Sequence, residues 1–405
     1  MHARVTVTKP DRPIHVAIDL PRSKSIANRA LILASLVGDL SLVQNMGDAD
    51  DTRILYGLLR DRPAVMHCGL GGTTFRFLLA WACVQEGEEH IIAGDARLLE
   101  RPHGMLVDAL RALGADIEKV ETGFRVRGRR MKGGEISLDT PMSSQFVSAL
   151  LLIAPCMEKG LALRWAGLRL SEPYVRMTMK CLEHFNVLPA VEDEWIRVQH
   201  SALVGRAVDV ELDWSAASFW YEVVALARNA TVELPGLVFD AVGWQGDKWA
   251  VQLWGFAVDS EAYEKGICLK PSSMGRDQES TLRHTPDLFQ PLALTFAGLG
   301  RTGFFHGLNN LQAKETDRIA AVHDALTLLG VDSSKREDRF DLSGSITNRV
   351  PPPFDPRGDH RMAMALAPLA LVLGSITIND PQVVTKSYPR FWEDLKKAGF
   401  GVEFG

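Results

Sequence analysis

"ALRALGADIE", residues 109–118, closes a helix-spaced apolar run on Gly114 and passes at once into a strand-like run. Glycine there suits the left-handed conformation that ends a helix. The same punctuation returns in "CLEHFNVLPA" (181–190), "VQLWGFAVDS" (251–260), "ALTLLGVDSS" (325–334) and "DLKKAGFGVE" (394–403). The closing residues Gly114, Asn186, Gly255, Gly330 and Gly399 lie 72, 69, 75 and 69 residues apart. Spacing that even indicates an internal repeat of about 70 residues, too long for a solenoid of helix pairs and suited to a compact unit of two helices and several strands. A chain of 405 residues holds about six such units, the first one short, and six divide into two domains of three. The expected class is α/β (α+β).

Composition narrows the function. Hydrophobic residues make up 46% and charged residues 23%, and the longest apolar run, "MAMALAPLALVLG" (362–374), has the length of a buried helix rather than a membrane span. The N-terminal "MHARVTVTKPDRPIHVAIDL" alternates like strands and lacks the apolar core of a secretory signal, so the expected compartment is the cytoplasm. Cys68, Cys83, Cys156, Cys181 and Cys268 are scattered and odd in number, which favours reduced thiols over zinc or disulfide chemistry. A net charge of -5 argues against a nucleic-acid surface. Clustered cations in such a chain are local features.

Those clusters stand at helix starts. In "LPRSKSIANRALILASL" (20–36), Ile26, Ala30 and Leu33 recur at helical spacing, and Ser23 is a suitable N-cap. Free amides, the positive end of the helix dipole, Lys24 and Arg29 then compose an anion site. Ser25 and Arg29, four apart, share a face, while Lys24 points about 100° away. In "GLGGTTFRFLLAWA" (69–82) the glycines Gly69, Gly71 and Gly72 precede a helix with a Phe75, Leu78, Leu79, Ala82 stripe and Arg76 on another face. "LLERPHGMLVDALRALG" (98–114) sets Pro102 at an expected helix start, directly after Arg101. "PMSSQFVSALLLIAP" (141–155) and "SEPYVRMTMKCLEHF" (171–185) open helices with Ser143, Ser144, Gln145 and with Tyr174. In "NNLQAKETDRIAAVHDALTLLG" (309–330), Lys314 and Arg318 are expected four apart on one helical face, where an anion would relieve their repulsion. His360 and Arg361 stand before an apolar helix, and Lys386 before the last one. Together they suit two polyanionic small molecules.

The runs "SKSIANRALILASL", "ERPHGMLVDALRALGADI", "SSQFVSALLLIAP", "EPYVRMT", "KETDRIAA", "DHRMAMALAPLAL" and "KSYPRFWEDLKKAG" resemble the EPSP synthase family of enolpyruvyl transferases, in its order and over nearly the whole chain. The resemblance implies a two-domain fold of six βαβαββ-type units, three per domain. It places one discontinuous domain at 1–21 and 213–405 and an inserted domain at 22–212, with hinges near Pro21 and Asp213 that close the domains over the substrates. It also implies transfer of the enolpyruvyl group of phosphoenolpyruvate to the 5-hydroxyl of shikimate 3-phosphate, without a metal or organic cofactor, by a monomer that binds neither nucleic acid nor membrane.

Carried over residue by residue, the resemblance implies phosphoenolpyruvate ligands at Lys24, Gly72, Arg101, Gln145, Arg318, Arg361 and Lys386. Shikimate 3-phosphate falls to Ser25, Arg29, Ser143, Ser144, Gln145, Tyr174, Asp287, Asn310 and Lys314. Asp287 is the expected general base and Glu315 the residue that handles the methylene proton, with Lys24 and His360 counted among the catalytic groups. Arg22 stands where the family has a small residue, and is expected hydrated at the cleft rim, attracting anions at long range. Leu70 replaces an asparagine of the family's loop, and Phe77 a common proline. Two other readings are a catalytically silent anion-binding protein on this fold and a transferase acting on UDP-N-acetylglucosamine. The second typically has Lys-Asn and a reactive loop cysteine, where this chain has Lys24-Ser25 and no cysteine in a comparable setting.

Overall fold

A computed structural model describes residues 3–240, 243–273, 275, 279–336 and 338–405. The chain divides into two compact units, one made of Met1–Pro21 with Leu212–Gly405 and the other of Arg22–Glu211. One supersecondary pattern recurs in both. A strand is followed by a helix, a parallel strand, a second helix, and a hairpin whose outgoing strand pairs antiparallel with that parallel strand.

In the Arg22–Glu211 unit the pattern is written by Val65–His67, Glu89–Ala93, Asp116–Val120 and Gly123–Arg127, and again by Gly134–Asp139, Leu161–Ala166, Ala190–Glu192 and Trp195–Val198. A reduced third element pairs Val43–Gln44 with Val208–Asp209. In the other unit it comprises His15–Ala17, Thr231–Pro235, Val258–Tyr263 and Gly266–Pro271, then Glu279–Thr281, Gly303–His306, Asp332–Lys335 and Arg339–Ser343. Arg4–Thr8, between Ser375–Asn379 and Gly401–Phe404, completes that unit's sheets.

Each sheet buries alternate residues against helices that are apolar around most of their circumference, such as Trp214–Ala227 and Phe289–Leu299. Such helices pack at the centre of a layered unit, and the Met1–Pro21 with Leu212–Gly405 unit fills its core with Trp220, Trp254, Phe289, Phe296, Phe305 and Tyr388. Gly114, Asn186, Gly330 and Gly399 adopt positive φ. Gly255 does not: it follows a one-turn helix, Ala250–Leu253, and its N–H donates back to Gln252. Pro102 also departs from expectation. The Arg101 N–H donates to Leu98, His103 Nε2 lies 2.9 Å from the same carbonyl, and the helix begins only at Gly104. Its start is deferred by a turn that belongs to the preceding Ala96–Leu99 helix.

Candidate active site

The Arg22–Glu211 unit sets its predicted site residues on the opening turns of four helices, Lys24–Val37, Gly72–Cys83, Ser144–Ile153 and Glu172–His184, with Arg101 in the turn ahead of the Gly104–Ala112 helix. Ser23 caps the first in position but donates and accepts no side-chain cap bond. Lys24 Nζ donates to Asp51 Oδ2 at 2.9 Å, and Asp51 stands in the first turn of the Asp50–Asp61 helix. A Cβ on Gly71 would lie 3.0 Å from Asp51 Oδ1, and one on Gly72 would lie 2.6 Å from Arg101 Nη1 and 3.2 Å from Arg76 Nη1. Arg76 Nη1 in turn donates to Gln145 Oε1, whose Nε2 donates to Thr73 Oγ1 at 2.9 Å. Lys24, Gly72, Arg101 and Gln145, the expected phosphoenolpyruvate residues of this unit, therefore form one connected patch. Asp51, Thr73 and Arg76 are its links, and only Arg76 stood out in the sequence, as a cation off the apolar stripe.

A second network joins Arg29, Ser25 and Tyr174, three of the residues expected for shikimate 3-phosphate. Arg29 is 2% exposed. Its Nε donates to Thr178 Oγ1 (2.7 Å), Nη1 to the Ser25 carbonyl (2.7 Å), and Nη2 to the Tyr174 carbonyl (3.1 Å) and Ser148 Oγ (3.3 Å). Every one of these acceptors is neutral. Burial lowers the guanidinium pKa to about 10, which still leaves it charged at neutral pH. Ser143 is the N-cap of the Ser144–Ile153 helix, its Oγ accepting from the Gln145 N–H. Among the described residues neither Arg29 nor Arg101 forms an ion pair with a carboxylate.

The other unit is wired differently, with carboxylates interleaved among the cations. Asp287 sits in the turn Pro286–Leu288, where its Oδ1 accepts from Arg318 Nη1 (2.7 Å) and Lys314 Nζ (3.4 Å) and its Oδ2 from Arg361 Nη2 (2.9 Å). Glu315 accepts from Arg318 Nη2 (3.0 Å) and Lys386 Nζ (3.1 Å). Asp359 caps the His360–Leu366 helix through the Arg361 N–H and accepts from Arg318 Nε at 2.8 Å. His360 is buried beside it, Nδ1 3.7 Å from Asp359 Oδ1. Asn310 is buried ahead of the Leu311–Ala313 turn that leads to Lys314.

Lys314 and Arg318 do not share a helical face. The helix runs Arg318–Leu329 behind an Asp317 cap, so Lys314 lies outside it. The anion that reconciles the two cations is Asp287. Burial alone would push the Asp287 carboxyl up, but Arg361, Lys314 and Arg318 outweigh it and hold it well below the carboxylate range. Asp247, hydrogen-bonded by Ser215, is pushed up to about 6 by burial and by the Asp287 charge, against the pull of Arg361. Neither Asp359 nor Asp247 was legible as a site residue, because their partners are distant in the chain.

Arg22 keeps its side chain 34% exposed, but its head is also bound to the protein. Its Nη1 donates to the Val210 carbonyl at 2.8 Å and lies 3.8 Å from Asp209, so its head ties the beginning of its unit to the end. The five cysteines are free, and among the described residues no group of His, Cys, Asp and Glu is arranged to hold a metal ion and no helix is long and apolar enough to cross a membrane.

Residues 58–395 match the family EPSP synthase (3-phosphoshikimate 1-carboxyvinyltransferase). A 3-phosphoshikimate 1-carboxyvinyltransferase of Bacteroides fragilis is 39% identical over 401 residues, covering 97% of each chain. One of Syntrophobacter fumaroxidans is 32% identical over 424, covering 96% of this chain and 98% of its own. Among solved structures, the EPSP synthase of Acinetobacter baumannii superposes with a TM-score of 0.76 at 22% identity, over 99% of this chain and 100% of that one. The enolpyruvyl transferase NikO of Streptomyces tendae does so with 0.73 at 14%, over 100% and 99%. At those identities the structures speak for the fold, and the family match and curated relatives speak for kinship: the chain belongs to the EPSP synthase family.

Proposed function

We infer that this protein transfers the enolpyruvyl group of phosphoenolpyruvate to the 5-hydroxyl of shikimate 3-phosphate and releases phosphate. Beyond kinship, the observation that carries this reading is the pair of arginines Arg29 and Arg101 in the Arg22–Glu211 unit. Arg29 is buried and, like the half-buried Arg101, meets no carboxylate among the described residues, and a guanidinium removed from water without a counter-charge is costly. Two substrates bearing phosphate and carboxylate groups supply the missing anions. The chain's full set of expected cations, from Lys24 to Lys386, also argues against a catalytically silent relative.

In the reaction the 5-oxygen forms a bond to the central carbon of phosphoenolpyruvate and its proton passes to Asp287, while Glu315 delivers a proton to the methylene carbon. The tetrahedral adduct then loses phosphate by breaking its carbon–oxygen bond, the proton held by Asp287 leaves with that phosphate, and Glu315, ionised by its first transfer, takes a proton back from the methyl group to restore the alkene. Positioned carboxyl groups suit such two-way proton traffic. Lys24, Arg101, Arg318, Arg361 and Lys386 stabilise charge on the phosphate and carboxylate.

A coupled assay for phosphate release from phosphoenolpyruvate tests the reading. Release should depend on shikimate 3-phosphate and fail with UDP-N-acetylglucosamine. No release with shikimate 3-phosphate, or release only with the UDP-sugar, would overturn it.

A further inference from the structure

We propose that Arg76 is a positioning residue that fixes the amide of Gln145, so that Gln145 meets a ligand as a hydrogen-bond donor. The inference rests on the reading of Gln145 as a substrate ligand. A glutamine amide is nearly symmetric in shape but not in chemistry, since one end accepts and the other donates. A guanidinium only donates. Arg76 Nη1 stands 2.5 Å from Gln145 Oε1, so the flipped amide would set N–H against N–H and is excluded. Of the two Nε2 protons, one goes to Thr73 Oγ1 at 2.9 Å. The other remains for an oxygen of the ligand.

Arg76 is itself fixed. Its guanidinium carbon lies 5.3 Å from the centre of the Phe146 ring, on the residue next to Gln145, and the side chain is 1% exposed. So deeply buried a guanidinium offers almost no surface for direct contact with a substrate. It acts through the half-buried Gln145 amide, and its Nη1 also borders Gly72 beside that of Arg101. Oxygen-rich anions satisfy the donor that Gln145 presents.

The test is a double-mutant cycle on steady-state kinetics of the full chain, with phosphoenolpyruvate and shikimate 3-phosphate varied in turn. Gln145→Ala should raise the KM for phosphoenolpyruvate about 10-fold or more, and Arg76→Met should do nearly the same. The double variant should be no worse than Gln145→Ala alone, within about 2-fold. Arg76→Lys should recover most of the loss, because an ammonium can still donate to Oε1. Thr73→Val, which leaves Arg76 in place, provides a second measurement should Arg76→Met fail to fold, and should raise KM by a few-fold only while Gln145 is present. Multiplying effects in the double variant would show that Arg76 acts independently of Gln145 and would overturn the proposal, as would a Thr73→Val penalty that persists without Gln145. If Gln145→Ala matches the wild type, the ligand assignment beneath the proposal is wrong and the proposal falls with it. Both outcomes differ from an absence of shikimate 3-phosphate-dependent release in the wild type, which overturns the function itself.

Discussion

Asp287 accepts from three cations that lie 27, 31 and 74 positions away in the chain. Their field keeps it ionised, and therefore weakly basic; on the proposed reading, anionic groups of the substrates would draw Arg318 and Arg361 away and restore its basicity. Asp287→Asn should lower turnover by about 10²-fold or more, the scale of a lost general base. The same change ends the competition for Arg318 and Arg361, so equilibrium dialysis should show phosphoenolpyruvate binding retained or tightened. Binding lost together with turnover would make Asp287 a structural residue. The stability effect has a definite sign: a carboxyl depressed by folding contributes stability above its unfolded pKa of about 4, lost as pH falls through the lower folded value. The melting temperature of Asp287→Asn should therefore lie below the wild type at pH 7, and the gap should narrow toward pH 3. At this scale the sequence pointed to the cations by their places at helix starts, and to Asp287 and Glu315 only through family resemblance. Asp51, Asp247 and Asp359 escaped, and Arg76 was marked only as a cation off the apolar stripe, because a lone aspartate or arginine carries no local mark of the partner it will meet.

The helix beginning at Gly72 shows what an element contributes. A methyl group added there would come within 2.6 Å of Arg101 Nη1, the far end of a flexible side chain, so the guanidinium yields rather than the backbone. Gly72→Ala should raise the KM for phosphoenolpyruvate about 10-fold while moving the melting temperature by less than ~1 °C, a change of a few tenths of a kcal/mol in a protein of this size. The Trp214–Ala227 helix holds the opposite case. Glu222 is fully buried in it, both carboxyl oxygens without a hydrogen-bond partner among the described residues, and burial raises its pKa well above the ordinary value. A carboxyl raised by folding costs stability as pH climbs from about 4.5 toward its folded pKa. Glu222→Leu should stabilise the protein by about 1–3 kcal/mol in denaturant titrations at pH 8, the usual cost of an unsatisfied buried polar group. The gain should shrink at pH 5, and a destabilised variant would reveal a partner for that carboxyl. Helix ends marked by left-handed glycine or asparagine were readable one residue at a time. Two starts were not: at Pro102 and Lys314 the preceding turn held the chain and delayed the helix, a competition settled by hydrogen bonds to residues outside the motif.

Across the whole molecule, four sheets repeat a single topology, and their spacing in the chain is the period of about 70 residues first visible in the helix ends. Arg22 matters at this scale because it joins residues 188 positions apart at the start and end of one unit. Arg22→Gly should lower the melting temperature by a few degrees, consistent with loss of about 1 kcal/mol for a charge-assisted hydrogen bond, and leave turnover within about 2-fold. A large change in turnover with unchanged melting would return Arg22 to the substrates. What the sequence determined by itself was the class of fold, the repeat, and the helix starts at which cations gather, because hydrophobic period, capping residue and charge act over one or two helical turns. What only the tertiary structure decided was the pairing: Asp51 for Lys24, Gln145 for Arg76, three carboxylates for Arg318, and neutral oxygens for Arg29. Those assignments depend on distances of a few ångströms between residues on different helices, and such distances are set when the helices pack together.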